Sequence, residues 1–250
     1  MSDSKKEILL GDCLELMKDI PNGSIDMILC DLPYGTTACK WDVVIPFEPL
    51  WEQYKRIIKD NGAIVLTASQ PFTSALVMSN IKMFKYEWIW DKISKTGHLS
   101  AKNKPLSQHE NILIFGMCKT IYNAQKTIGK MKLKGGKKKT YNGVYGNTKS
   151  VGMYNSNEYY PSTIIKETNN NNMPKIHPTQ KPVALFEYLI KTYTNKGDLV
   201  LDNCAGSGTT AIACLNTDRQ FIVIEKEEKY YEVIKKRVED FNINLKIFAV

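Results

Sequence analysis

Along the 250 residues, short apolar runs alternate with stretches in which apolar residues recur at helical spacing, every three to four positions. The apolar runs at 7–10, 26–30, 63–67, 86–90, 111–115, 199–203 and 221–224 predict seven strands. Between them, Leu50, Trp51, Tyr54, Ile57 and Ile58 lie on one helical stripe that should stop at Asn61-Gly62. Pro182 can open a helix running to about Tyr193, and a last helix is expected over about 226–241. Strands alternating with helices predict an α/β fold, a doubly wound, seven-stranded, mostly parallel sheet covered on both faces.

One stretch breaks this rhythm. It carries Gly135-Gly136, the lysine triplet Lys137, Lys138 and Lys139, and the polar run Asn169 to Asn172. It reads as an inserted segment, 116–175, between the fifth and sixth strands of a catalytic and cofactor-binding domain made of 1–115 and 176–250. Charge sharpens the division. The segment holds eleven lysines against Glu158 and Glu167, a local charge of +9, whereas the rest of the chain sums to −1 out of an overall +8. A near-neutral body with one basic segment predicts a polyanionic partner held there, most simply nucleic acid. Six tyrosines, Tyr122, Tyr141, Tyr145, Tyr154, Tyr159 and Tyr160, are interleaved with those lysines and supply faces for bases.

Composition closes off other classes. Cys13, Cys30, Cys39, Cys118, Cys204 and Cys214 are scattered with no C-x-x-C pair, and the histidines are only His98, His109 and His177. No metal site is expected, and each cysteine should act as a small buried hydrophobe in a reducing compartment. No apolar run approaches the ~20 residues of a membrane span. The opening MSDSKKEILLGD lacks the order of a signal peptide. A cytoplasmic protein with no membrane partner is expected.

Three motifs carry chemistry. The first, DLPYGTT at 31–37, follows an apolar strand, and ligands of open α/β sheets bind beyond the carboxyl ends of strands. Asp31 offers an acceptor; Pro33 biases Leu32 to an extended conformation that turns the Leu32 carbonyl outward as a second; Tyr34 adds a flat face. Two acceptors beside an aromatic plate suit a planar group with an exocyclic amine. An ordinary strand ending in a Pro turn would look much the same. The second motif, LDNCAGSGTT at 201–210, again follows a strand and precedes a helix starting near Thr209. Gly206 and Gly208 permit close backbone approach, Asp202 could accept from an ammonium, and Glu225 ends the next strand where a carboxylate can take ribose hydroxyls. The loop matches neither G-x-x-x-x-G-K-[ST] nor G-x-G-x-x-G, which disfavours ATP and nicotinamide cofactors. The third motif, HPTQKP at 177–182, offers Thr179, Gln180 and Lys181 just ahead of a helix, a combination that favours a carboxylate. His177 reads as a packed or capping residue.

Together and in this order, the motifs resemble those of the S-adenosylmethionine-dependent DNA amino-methyltransferases, in the group where the catalytic tetrapeptide precedes the cofactor loop. The resemblance extends to the opening ILLGDCLELMKDIPNGSIDMILCDLPYG, to YEWIWDK at 86–92 and to HENILIF at 109–115. It implies a Rossmann-like methyltransferase sheet with an inserted target-recognition segment, S-adenosyl-L-methionine as cofactor and double-stranded DNA as partner. It implies further that Asp31, Leu32, Pro33 and Tyr34 are catalytic. Asp12 would sit near the cofactor adenine and Glu225 on its ribose. Asp202 and the loop of Cys204, Ala205, Gly206, Gly208 and Thr209 would lie near the methionine moiety, with Thr179, Gln180 and Lys181 at its carboxylate. Asp12 could equally cap the helix expected at 13–20. Thr36 to Asp42 would form a loop closing over the base, with Trp41 either in that loop or in the core.

Two positions depart from the family pattern. Leu32 replaces the usual Pro, and Asn203-Cys204 replace the usual Pro-Phe, so an aromatic contact with the cofactor is missing. The implied reaction is direct displacement on the N6 amine of an extruded adenine, because an acidic first residue goes with adenine in most relatives and Ser with cytosine. Cytosine N4 methylation is the nearest alternative, and an inactive DNA-binding relative the more distant one. Pairing of two copies and a cognate restriction endonuclease are partners the family allows and the residues do not specify.

Overall fold

The computed structural model describes residues 5–36, 39, 42–136, 151–168 and 180–248. Trp41, Lys137 to Lys139, Tyr141, Tyr145, Asn169 to Asn172, His177 and Thr179 lie outside the described residues. The chain divides into two compact units, Met1–Asn123 with Thr163–Val250, and Ala124–Ser162. The second is narrower than the 116–175 expected from charge, because 116–123 and 163–168 belong with the first.

In chain order the strands are β1 (Lys6–Leu10), β2 (Ile25–Cys30), β3 (Ile58–Ala68), β4 (Phe84–Thr96), β5 (Ser107–Phe115), β6 (Thr127–Gly136), β7 (Val151–Tyr159), β8 (Ile164–Lys166), β9 (Leu199–Asp202) and β10 (Gln220–Glu225). Strands β6 and β7 belong to the smaller unit. The others form one sheet in the larger unit, in the order β1-β10-β9-β2-β3-β5-β4-β8. All seven expected strands are present, and β8, three residues long beside β4, is an eighth that sequence reading missed. Pairing is parallel from β1 through β3, while β5 is antiparallel to both β3 and β4.

Strand β2 shows why helices cover both faces. Its residues are all buried, and successive side chains point to opposite sides. Ile28 and Cys30 enter a core with Met17, Leu50, Trp51, Tyr54 and Leu76, from α1 (Cys13–Leu16) and the turn after it, α2 (Phe47–Ile57) and α3 (Phe72–Ser79). Met27 and Leu29 enter the other, with Phe186, Leu189, Ala211 and Ile234 from α4 (Val183–Tyr193), α5 (Thr209–Asn216) and α6 (Glu228–Phe248).

Two expected boundaries move. Helix α2 ends at Ile57 rather than at Asn61-Gly62, because Ile58 already pairs with Ile25 and Asn61-Gly62 fall in an irregular start of β3. A side chain at Gly62 would press on Asp26 O at 2.8 Å, so this glycine permits close strand approach and does not stop a helix. The expected helix 13–20 is one α turn continued by a 3₁₀ turn, Met17–Asp19. Cys39 and Cys118 are exposed, which corrects the expectation that every cysteine is buried.

In the smaller unit, β6 pairs antiparallel with β7. Lys126 Nζ meets Glu158 Oε2 at 2.7 Å, and Lys134 lies 4.0 Å from the centre of the Tyr159 ring. Ile128, Met131, Leu133 and Met153 are exposed on this hairpin.

Candidate active site

Strand order positions the site. Chain connections lead from β2 outward to β3 on one side and from β9 to β10 on the other, so β2 and β9 flank the switch point where a ligand crevice opens. Parallel pairing brings the ends of β1, β2, β3, β9 and β10 to one rim. The reversal of β5 brings Glu110 to that rim beside Trp90 of β4. A cleft of about 760 Å³ opens there, entirely within the larger unit. Asp12, Asp31 to Tyr34, Gln180, Lys181, Asp202, Cys204 to Gly206, Thr209 and Glu225 line it, so nearly all the expected site residues converge from distant parts of the chain.

Asp31 is the most heavily engaged side chain. Tyr34 Oη lies 2.8 Å from Asp31 Oδ1 and 3.1 Å from Thr67 Oγ1, and the Thr67 hydroxyl also donates to Oδ1. Lys181 Nζ donates to Oδ2 at 2.7 Å and approaches Glu110 Oε2 at 3.3 Å, while Lys92 pairs with Glu110 Oε1 at 2.5 Å. Two carboxylates and two ammonium groups thus form one linear network. Lys181 is only 7% exposed. Burial works against its charge, but the Asp31 and Glu110 carboxylates outweigh it and hold the pKa above the ordinary lysine value. In this structure the Lys181 ammonium is engaged by the Asp31 carboxylate, so what Lys181 can offer a ligand beside it is its backbone.

Tyr34 stacks on Phe72 at 5.2 Å between centroids, so one face is already occupied by protein. Burial, then the Asp31 charge, raises its phenol pKa and keeps it protonated. The Leu32 side chain is 3% exposed and packs into the core, which lets the residue act outward only through its backbone. Asp42 Oδ1 and Oδ2 accept from Gly35 N at 2.8 Å and Thr36 N at 2.9 Å, pinning the start of the loop after the tetrapeptide.

On the side of the cleft formed by 202–209 and the end of β10, Glu225 Oε2 accepts from Gly206 N at 2.7 Å and Oε1 from Glu227 N at 2.8 Å. Lys226 N is a further backbone donor to this carboxylate, and burial raises its pKa. Asp202, 2% exposed, bends back on its own turn, accepting from Cys204 N at 3.1 Å and from the Thr210 hydroxyl. Burial is the main cause of its pKa rising to about 7. The two glycines differ. A Cβ at Gly206 (φ +54°) would meet nothing within 4 Å, whereas one at Gly208 (φ +79°) would lie 2.9 Å from Ile234. Gly206 faces the cleft; Gly208 starts α5 and admits α6 against it, and is not among the described residues lining the cleft. Asp12 both lines the cleft and caps α1, accepting from Leu14 N at 2.9 Å.

The unusual Asn203-Cys204 pair has its own partners. Tyr54 Oη of α2 donates to Asn203 Oδ1 at 2.6 Å in a buried contact. Cys13, Cys30 and Cys204, distant in sequence, lie close enough for their thiols to influence one another, and Asn203 Nδ2 approaches Cys204 Sγ at 3.5 Å.

Thr67, Lys92 and Glu110 were not singled out from the sequence. The available signal for Thr67 and Glu110 was a polar residue at the end of an otherwise apolar strand. Two acceptors complete the site: Glu110 Oε2 and Gln180 Oε1 are buried with no aligned hydrogen-bond donor among the described residues, although Glu110 keeps its ionic contact with Lys181. The Gln180 oxygen, facing the cleft, is thus placed to accept from a bound molecule.

The family described as DNA methylase matches residues 25–236. Type II methyltransferase M.HpaI of Haemophilus parainfluenzae is 27% identical over 95% of this chain and 76% of its own length. DNA adenine methyltransferase YhdJ of Escherichia coli K12 is 29% identical over 94% of this chain and 83% of its own. Among solved structures, the M1.HpyAVI-SAM complex superimposes with a TM-score of 0.63 at 26% identity, covering 93% of this chain and 98% of that one. PvuII DNA methyltransferase (cytosine-N4-specific) reaches a TM-score of 0.67 at 16% identity over 93% and 86%, a likeness of fold.

Proposed function

The chain belongs to the DNA methylase family that acts on ring amines, with S-adenosylmethionine as methyl donor, and on that premise we propose that it methylates N6 of an adenine extruded from double-stranded DNA. The observation that carries this reading is the convergence of Asp31, the Leu32 backbone and Tyr34 with Glu225 and the open Gly206 turn in one cleft. The residues present fit a nucleoside cofactor: the Glu225 carboxylate on the cleft wall, a glycine without neighbours on its open side, and the Gln180 oxygen, which has no hydrogen-bond donor among the described residues. When bound, S-adenosylmethionine supplies an electrophilic methyl group.

The protein's own residues then act on the amine. An exocyclic amine is a weak nucleophile because its lone pair is delocalised into the ring. Acceptance of its two hydrogens by Asp31 and the Leu32 carbonyl favours a pyramidal nitrogen and stabilises the positive charge that develops on it. Lys181 fixes the Asp31 carboxylate in place, and Glu110 offsets the extra cation so that the site does not oppose that charge. Tyr34 replaces the stacking that extrusion removes. The hairpin of the smaller unit, with its lysines and tyrosines, supports a role in reading the DNA target, its lysines on phosphates. A cognate restriction endonuclease and pairing of two copies rest on the family resemblance alone. No helix among the described residues is long and apolar enough to cross a membrane. A cytoplasmic location follows from the proposed DNA substrate.

Incubation of plasmid DNA with methyl-labelled cofactor, followed by nucleoside analysis, tests the proposal. N6-methyladenine is the expected product. N4-methylcytosine would overturn the base assignment and keep the chemistry, since the same two acceptors serve either amine. Absence of label in DNA would overturn the activity.

A further inference from the structure

We propose that the tip of the β4–β5 hairpin, residues 97–106, enters the DNA duplex at the extruded base, with Leu99 filling the vacated space and Lys95, Lys102 and Lys104 on the adjoining phosphates. The inference rests on the reading of the cleft as a DNA base site.

The hairpin starts in the core and ends in solvent. Trp88 and Trp90 of β4 are buried, Lys92, Thr96 and Glu110 line the cleft, and from Ile93 onward the side chains are exposed almost without interruption to Pro105. Its root is irregular. After Asp91↔His109 the strands pair again only at Thr96↔Ser107. Between these points Ile93 takes φ +63°, a left-handed conformation that a β-branched residue adopts only when its surroundings hold it there. Asp91 Oδ1 supplies that hold, accepting from Ile93 N at 2.9 Å and from Gln108 Nε2 at 2.9 Å. Such a bulge bends the hairpin and re-aims what lies beyond it.

The tip is an ordered turn. Ser100 N bonds Gly97 O at 3.0 Å, Asn103 N bonds Ser100 O at 2.9 Å and Lys104 N bonds Ser100 O at 3.1 Å. Leu99, at 105% exposure, projects fully from this turn. A single exposed leucine needs no explanation by itself. This one stands on a stretch, 93–109, with Lys95, His98, Lys102, Lys104 and His109 and no acidic residue. None of the three lysines forms an ion pair among the described residues. The near-neutral sum for the chain outside 116–175 had hidden this local basic patch. An apolar side chain on a basic, rigid turn at the lip of a base-extruding cleft matches the wedges with which proteins part a base stack.

The test uses the full chain and two duplexes of the target sequence found by sequencing the methylated plasmid: one with 2-aminopurine, which has no N6 amine, at the target position to report extrusion by fluorescence, and one with adenine there to report methyl transfer. Leu99→Ala should bind DNA and cofactor about as well as wild type, yet lower the fluorescence of the extruded base and slow methyl transfer about tenfold. On a duplex whose target base is mispaired, where extrusion costs less, the deficit should shrink to about twofold. The triple variant Lys95→Ala/Lys102→Ala/Lys104→Ala should weaken DNA binding and flatten its salt dependence by roughly 2 to 3 in slope, at about 0.9 per phosphate neutralised. Melting temperatures should match wild type, because the side chains are exposed. Wild-type fluorescence and rate in Leu99→Ala, or an equal deficit on paired and mispaired duplexes, would overturn the wedge while leaving the methylase reading intact. So would an unchanged DNA affinity in the triple variant with abolished binding to anionic vesicles, which would mark a lipid contact. A wild-type protein that methylates no DNA would remove the premise itself.

Discussion

Replacing Asp31 by Ala should have two separable effects, because on the proposed reading this carboxylate serves both chemistry and stability. Its strand-end position suggests that truncation would spare the fold, but the buried Lys181 ammonium donates to it at 2.7 Å. Breaking a buried ion pair costs ~3–5 kcal/mol when one partner is left behind. Glu110 remains at 3.3 Å from Lys181, which places the loss near the lower end, about 3 kcal/mol. For a chain of this size that lowers the melting midpoint by roughly 6–12 °C. Methyl transfer should fall by at least ~10²–10³, the loss expected when a preorganised electrostatic contact to the transition state is removed. The double variant Asp31→Ala/Lys181→Met separates the two. It leaves no buried unpaired charge, since Glu110 retains Lys92 at 2.5 Å, so most of the melting temperature should return while activity does not. Thermal melts and single-turnover labelling of plasmid DNA measure both. An Asp31→Ala protein that melts like wild type and turns over within tenfold of it would refute the reasoning. Recovery of activity in the double variant would also refute it.

Other outcomes follow from the same interactions. Leu32→Pro should retain most activity, because the residue acts through its carbonyl, with a stability loss of about 1–2 kcal/mol from the smaller apolar side chain; inactivity in a folded variant would show that the side chain matters. Gly206→Ala should fold with a cost of about 1–2 kcal/mol for its left-handed backbone and lose cofactor affinity by calorimetry. Gly208→Ala should lose stability more heavily, partly regained with Ile234→Ala, since its Cβ meets Ile234 at 2.9 Å. Asp202, held protonated by burial up to about pH 7 against an ordinary 3.8, gains its charge later in the folded than in the unfolded chain. Stability from this group is therefore full below about pH 4 and declines as pH rises to about 7; Asp202→Asn should flatten that segment of the melting profile. Neutralising Lys137, Lys138 and Lys139 should weaken DNA binding evenly across sequences and reduce the salt slope by about 0.9 for each phosphate no longer neutralised, with cofactor binding unchanged.

Much of this protein is local in origin and could be read from residue order. The alternation Met27, Ile28, Leu29, Cys30 already assigns side chains to two covered faces, and the structure sends them to two separate cores. Strand-turn motifs such as 31–34 and 202–208 are complete within a few residues, so their place at strand ends was legible. Helix α4 begins after Pro182 as expected, because a proline restricts its own first turn without reference to distant partners. What tertiary structure alone decided is which strand lies beside which. Placing β9 next to β2 brings Lys181 to Asp31 across 150 positions and Asn203 to Tyr54 across 149. Those pairings gave the Lys181 ammonium a carboxylate partner and Asn203 a buried tyrosine, while the reversal of β5 drew Glu110 into the site. The start of β3 at Ile58 and the short β8 likewise depend on neighbours, since a strand is satisfied by hydrogen bonds from another segment. Side-chain chemistry and local periodicity are properties of a few adjacent residues. The pairing of an acid with a base through a buried interior is a property of the whole packed chain, because burial sets the cost that makes such a pairing necessary.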